Sequence, residues 1–224
     1  VSVGCKGPLT GGIKEANAGG PPSQMLARLG YAAIVLEGKP KEDKIYKVFI
    51  NKDGVRITAD NSLKMLGNYD LVEKMKKEDG EKIGCISVGQ AGEMKMSAAS
   101  IAFTDMELRP TRHAGRGGVG AVMGAQRLEA VALRGTGRYL DLAHDPQTIA
   151  ELGRQRAKRV KDHPQSWDLQ VKGTPGLVSG LNAGGILPTH NFHQGAFEGV
   201  DHLRWEAYEK ELLTARRSCY ACAV

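Results

Sequence analysis

Ala16-Asn17-Ala18-Gly19-Gly20 leads through a helix-like stretch to Tyr31-Ala32-Ala33-Ile34-Val35-Leu36-Glu37-Gly38. The same order of parts returns as Gly115-Arg116-Gly117-Gly118, leading to Leu128-Glu129-Ala130-Val131-Ala132-Leu133-Arg134-Gly135. Each copy reads as loop, helix, strand and closing glycine, and Ala33, Ile34 and Leu36 correspond in order to Ala130, Val131 and Leu133. A repeat of this kind predicts an α+β domain with pseudo-two-fold internal symmetry and two matched half-sites.

Around this frame, glycine and proline punctuation divides the rest of the chain. Residues 1–20 are turn-rich, and Ser23 to Leu29 suits a short helix. Tyr31 to Leu36, a compact apolar run ended by Glu37-Gly38, reads as a buried strand. Lys44 to Ile50 and Val55 to Ala59 are β-rich runs joined by Asn51-Lys52-Asp53-Gly54, which is hairpin chemistry. Residues 69–79 predict an exposed helix rich in Lys and Glu, and Lys82 to Val88 and Met96 to Phe103 predict strands. At Gly135-Thr136-Gly137 the character turns from strand-rich to helix-rich, which places a domain boundary there: a β-rich domain over 1–137 and the start of a helical one over 138–224. Asp145 before Pro146 is an N-cap with proline at the first helical position, opening a helix to Lys161. Gly173 to Gly199 reads as a short helix and loops, and His202 to Arg216 as a second long helix.

With 41% hydrophobic and 25% charged residues, the chain is that of a globular protein with an ample core. Its apolar runs fall far short of the roughly 20 residues that span a bilayer. The net charge of +6 invites a nucleic-acid reading, but aromatics are only 5% and the basic residues are interleaved with Asp and Glu, so no nucleic-acid partner is expected. The densest basic stretch, Arg154 to Lys161, reads as the solvated face of a helix. Four cysteines do not make a disulfide scaffold, and a reducing cytoplasm is the expected setting. The chain starts at Val1 without an initiator Met or a signal pattern, and stops at Val224 just after Cys222, so both ends read as cut.

His113-Ala114-Gly115-Arg116-Gly117-Gly118-Val119-Gly120 is the densest glycine segment, flanked by Arg109 and Arg112 and containing Arg116. Glycines let backbone N–H groups approach a ligand, a following helix N-terminus favours an anion, and arginines add bidentate donors for phosphate. The plain alternative is a tight turn whose arginines are merely solvated. The segment is not a Walker loop, since no Gly-Lys-Ser/Thr follows, and it lacks Rossmann spacing and an acidic ribose partner. Cys219 and Cys222 form a Cys-x-x-Cys pair with three readings: half a zinc site, a redox disulfide, or the start of an iron–sulfur motif. Cys5 and Cys85 read as packing residues, and His190-Asn191-Phe192-His193 as a loop.

Taken together, these pieces resemble one family. Lys6-Gly7-Pro8-Leu9-Thr10-Gly11, then Ala16 to Gly20, then Gly30 to Gly38 resemble the start of the pterin-binding domain of aldehyde:ferredoxin oxidoreductases. Ala114 to Gly124 resembles that family's most recognisable segment, and Ser218-Cys219-Tyr220-Ala221-Cys222 falls where its cluster cysteines begin. The resemblance implies a cofactor of one tungsten, or molybdenum, held by two pterins, with a 4Fe-4S cluster taking the electrons. Two Gly-rich loops would cradle two pterins. Asn17 and His113 would offer backbone carbonyls to a magnesium ion bridging the pterin phosphates. Ala18, Gly19, Arg112, Gly115 and Arg116 would contact the pterins or their phosphates, and Cys219 and Cys222 would ligate iron. In relatives a small residue also occurs at the position of His113, a change that a backbone ligand tolerates.

The implied reaction is oxidation of an aldehyde to a carboxylate, with ferredoxin or an iron–sulfur electron-transfer subunit as acceptor. A homo-oligomer stays open. A pterin-contacting arginine is expected just before Val1, and further cluster cysteines and the proton-handling residues beyond Val224. Two other functions remain: an aromatic acyl-CoA reductase on the same cofactor, and a noncatalytic phosphate- or nucleotide-binding module with a zinc-binding Cys pair.

Overall fold

The computed structural model describes residues 1–216, which fall in two compact units, 1–146 and 147 onward. In the first unit, Asn51-Lys52-Asp53-Gly54 turns β3 (Tyr46–Asn51) back into β4 (Gly54–Ala59), with Asn51 Oδ1 accepting from the Asp53 N–H. β3 also lies parallel to β8 (Leu128–Leu133), whose other edge pairs antiparallel with β5 (Gly84–Ser87). β6 (Ile101–Phe103) and β7 (Arg112–Ala114) extend the sheet, giving six strands in the order β4-β3-β8-β5-β6-β7. All six residues of β8 are buried, as befits a strand paired on both sides with both faces covered.

One face of the sheet packs on α2 (Asn68–Asp79), where Leu71, Val72 and Met75 meet Phe49, Cys85, Ala130 and Ala132. The other face gathers Val48, Phe103, Val131 and Leu133 with Val119 and Met123 of α4 (Val119–Ala125). A separate antiparallel hairpin, β1 (Ser2–Lys6) and β2 (Ile13–Asn17), also packs on α4, and α1 (Pro22–Arg28) lies on β5 and β8. Near the sheet edge the buried Lys47 pairs with Asp60 at 3.2 Å and with Glu78. A buried cation is tolerable with two such partners.

The structure corrects four expectations. The helix over 69–79 is not an exposed one, since Leu71, Val72 and Met75 of α2 are fully buried against the sheet. Tyr31 to Leu36 forms no strand: Val35 is 76% exposed, and only Ile34 packs on the core. Met96 to Phe103 is a strand only from Ile101. Before it, the Gly120 N–H donates to the Ala99 carbonyl, and a Cβ on Gly120 would stand 2.4 Å from the Ser100 carbonyl oxygen, so this stretch is spent holding α4. His202 to Arg216 is helical only over α8 (Trp205–Glu211), because the Leu213 N–H turns back to the Tyr208 carbonyl and the Arg216 guanidinium folds over the Trp205 ring at 5.6 Å. The rest of this region holds α5 (Pro146–Asp162), α6 (Pro164–Lys172) and α7 (Val178–Ala183), with no fully buried residue in any of the three. No helix among the described residues is long and apolar enough to cross a membrane.

Candidate functional site

The two Gly-rich loops leave the ends of β2 and β7, and those strands are in contact. Asn17 is the last residue of β2, and His113 is the middle residue of β7. Ala16 and Ala114 share the core cluster beneath them, so residues distant in sequence sit on one floor. On the β7 side, Ser100 Oγ and His113 Nδ1 share a hydrogen bond of 3.0 Å.

Glycine is required here by close approach. A Cβ on Gly118 would lie 2.6 Å from the Ser97 carbonyl oxygen and 2.9 Å from the Pro8 ring, and one on Gly117 would strike the Lys14 side chain. Gly117 and Gly118 have positive φ, +76° and +72° in that order, which lets the loop fold onto the β1–β2 hairpin. On the first loop, a Cβ on Gly20 would meet the Thr104 carbonyl oxygen at 2.4 Å. Gly115 differs: a Cβ there would meet nothing within 4 Å, so the loop opens to free space at that residue.

Of the three flanking arginines, the structure separates one from the others. Arg109 is held by Asp105, Nη2 to Oδ2 at 2.9 Å, and by Glu107 at 3.2 Å. Asp105 also accepts from the Thr111 hydroxyl and the backbone N–H of Glu107 and Arg109. Burial pushes the Asp105 carboxyl up, and these donors more than offset it, leaving it below the ordinary aspartate range. Arg109 is therefore a structural clasp that shapes the approach to β7. Arg112 is half-buried, and its Nε is fully buried with no hydrogen-bond partner among the described residues. A buried guanidinium N–H without an acceptor is unfavourable, and an incoming anion would satisfy it. Arg116 is exposed at the open end beside Gly115, with no ion pair among the described residues. α4 has only seven residues, so its terminus makes no anion site by itself, and the groups here able to receive an anion are these side chains.

A third cation went unforeseen. Lys14 of β2 lies along Gly117, although nothing in Ile13-Lys14-Glu15 marks the lysine as the inward residue. Cys5 and Cys85 are free thiols; burial pushes Cys85 up to about 12, the behaviour of an inert packing residue. Cys219 and Cys222 lie outside the described residues.

Residues 1–135 match the model of the aldehyde ferredoxin oxidoreductase N-terminal domain, and residues 151–224 that of domains 2 and 3 of the same family. The chain is 35% identical to the tungsten-containing aldehyde ferredoxin oxidoreductase of Pyrococcus horikoshii over 98% of its length, and 35% identical to that of Thermococcus kodakarensis over 100%. It spans about a third of those relatives, 35% and 36% of their lengths. Among solved structures it resembles the active site complex BamBC of benzoyl coenzyme A reductase, with a TM-score of 0.74 and 26% identity, covering 99% of this chain and 34% of that one. The chain belongs to the aldehyde ferredoxin oxidoreductase family.

Proposed function

We propose that this chain supplies the pterin cradle of a tungsten oxidoreductase that oxidises an aldehyde to a carboxylate. Water provides the oxygen, and two electrons pass to ferredoxin or an iron–sulfur partner subunit. The observation that carries the reading is the partnerless, buried Nε of Arg112 beside a glycine loop that opens only at Gly115. Bound tungsten, or molybdenum, held by two pterins would supply the redox chemistry. The chain's own part is to bind and orient it. Arg112 and Arg116 would take pterin phosphate, Ala18, Gly19 and Gly115 would let the ligand approach the backbone, and the carbonyls of Asn17 and His113 would face a bridging magnesium ion. Cys219 and Cys222 would contribute thiolates to a 4Fe-4S cluster, which suits a reducing cytoplasm.

Metal and pterin analysis of the full-length protein tests this: tungsten or molybdenum with iron is expected, and zinc alone would return the chain to a binding module. The likeness to the benzoyl coenzyme A reductase complex favours a second reading, an aromatic acyl-CoA reductase on the same cofactor. Assaying aldehyde oxidation beside acyl-CoA reduction decides between them, since the pocket for the organic substrate differs while the cradle is shared.

A further inference from the structure

In the β1–β2 hairpin the inward residues are Val3, Cys5, Lys14, Ala16 and, just past it, Ala18, while Ile13 points fully into solvent. Lys14 is thus the one charged residue on an otherwise apolar inward face, opposite Cys5 in register. Its methylenes lie over the Gly-rich loop, with Cε, Cδ and Cγ within 2.2, 2.5 and 2.7 Å of where a Gly117 Cβ would stand. That delivers the ammonium group, one bond beyond Cε, to the loop that carries Arg116. Among the described residues the ammonium makes no ion pair or hydrogen bond, although Glu15 is its chain neighbour.

We infer that Lys14 is a phosphate-binding residue of the cradle, supplied by β2, the strand that leads into the first half of the repeat, to the loop of the second. The inference rests on the reading that this loop binds a phosphate-bearing pterin. A compact, strongly hydrated ammonium is a point-charge partner for phosphate, complementing the planar forks of Arg112 and Arg116. The positive φ of Gly117 already favours glycine, and the missing side chain leaves the lysine stem room to lie on the loop. The competing account is that the stem merely covers Gly117 while the ammonium stays in water.

Lys14→Met separates the two, because Met covers Gly117 about equally and lacks the charge. Full-length Lys14→Met and Lys14→Arg proteins are washed in rising salt, and retained tungsten and fluorescent pterin are measured together with the melting temperature after cofactor removal. The expected result is roughly tenfold weaker retention for Lys14→Met, the factor that one charge-assisted hydrogen bond carries, with half-loss at lower salt. Lys14→Arg should keep the cofactor, and both stripped proteins should melt as the parent does. Retention by Lys14→Met equal to the parent's would overturn the inference, as would equal losses in both variants accompanied by a lowered melting temperature. Absence of tungsten pterin from the parent would instead refute the underlying functional reading.

Discussion

The two halves of the internal repeat begin alike and end differently. From His113 the chain runs β7, loop, α4 and β8, and β8 becomes a central strand paired on both edges. From Ala16 it runs β2, loop and α1, and then Tyr31 to Leu36 takes up neither strand nor helix, with the Leu36 carbonyl accepting from the Gln126 amide and Val35 in solvent. The two apolar runs are of similar composition, so composition did not decide. A strand needs neighbours for its N–H and C=O groups, and among the described residues it is the second run that has them.

The sharpest break in the comparison should come at packed glycines. Gly124→Ala places a Cβ 2.0 Å from the Gly92 carbonyl oxygen, backbone that cannot swing away, and should lower unfolding free energy by about 3 kcal/mol in a denaturant titration. Gly4→Ala on β1, paired with the β2 strand where the first half begins, meets nothing within 4 Å and should stay within about 0.5 kcal/mol of the parent. Equal effects would remove the contrast between a closed half and an open one.

The half-sites also differ in charge, with Arg112 entering from β7 and Lys14 from β2. Arg112→Ala should weaken cofactor retention by about tenfold or more, the loss of a charge-assisted bond, while the sheet still melts cooperatively. Unchanged loading, read as tungsten and pterin per protein, would make Arg112 structural.

Glu129 of β8 occupies the place that Ala32 fills in the first half. It is 1% exposed and its Oε1 has no partner; burial, with the nearby Glu93 adding to it, pushes its carboxyl up to about 9. Below the ordinary glutamate range the group is neutral in both folded and unfolded chains, so its raised pKa makes no difference to stability there. As pH rises from that range toward about 9, the unfolded chain releases its proton first, so this raised value makes folding progressively less favourable. Glu129→Gln should flatten that decline and raise stability near pH 8 by about 1–2 kcal/mol, measured by melts across pH. A parent-like slope would place the acid in a polar environment after all.

The smallest effect is expected at Val35→Thr, within about 0.5 kcal/mol because the side chain is exposed. A loss comparable to that of a core valine would show that this run is covered.

Where the sequence carried local signals, the fold was legible in it. Asn51 to Gly54 announced the hairpin, Lys- and Glu-rich 69–79 announced a helix but not the buried face of Leu71, Val72 and Met75, and Asp145-Pro146 announced the start of α5. It was not legible where partners decide, as at Tyr31 to Leu36, or where a strand candidate is diverted to brace a helix, as at Met96 to Ser100. The glycine loop and its arginines stood out, yet their division of labour did not, since only the fold brings Asp105 and Glu107 onto Arg109. Lys14 was hidden by strand parity: with Ile13 beside it, alternation would have placed the isoleucine inside, and the structure does the reverse.

The central claim is that two loops distant in sequence build one cradle, and a crystal structure of the cofactor-loaded protein tests it most directly. Magnesium ligands sit at about 2.0–2.1 Å, so the carbonyl oxygens of Asn17 and His113 should lie no more than about 4.2 Å apart with the ion between them. Those oxygens on opposite sides of the domain, each loop holding its own ligand, would contradict the shared site.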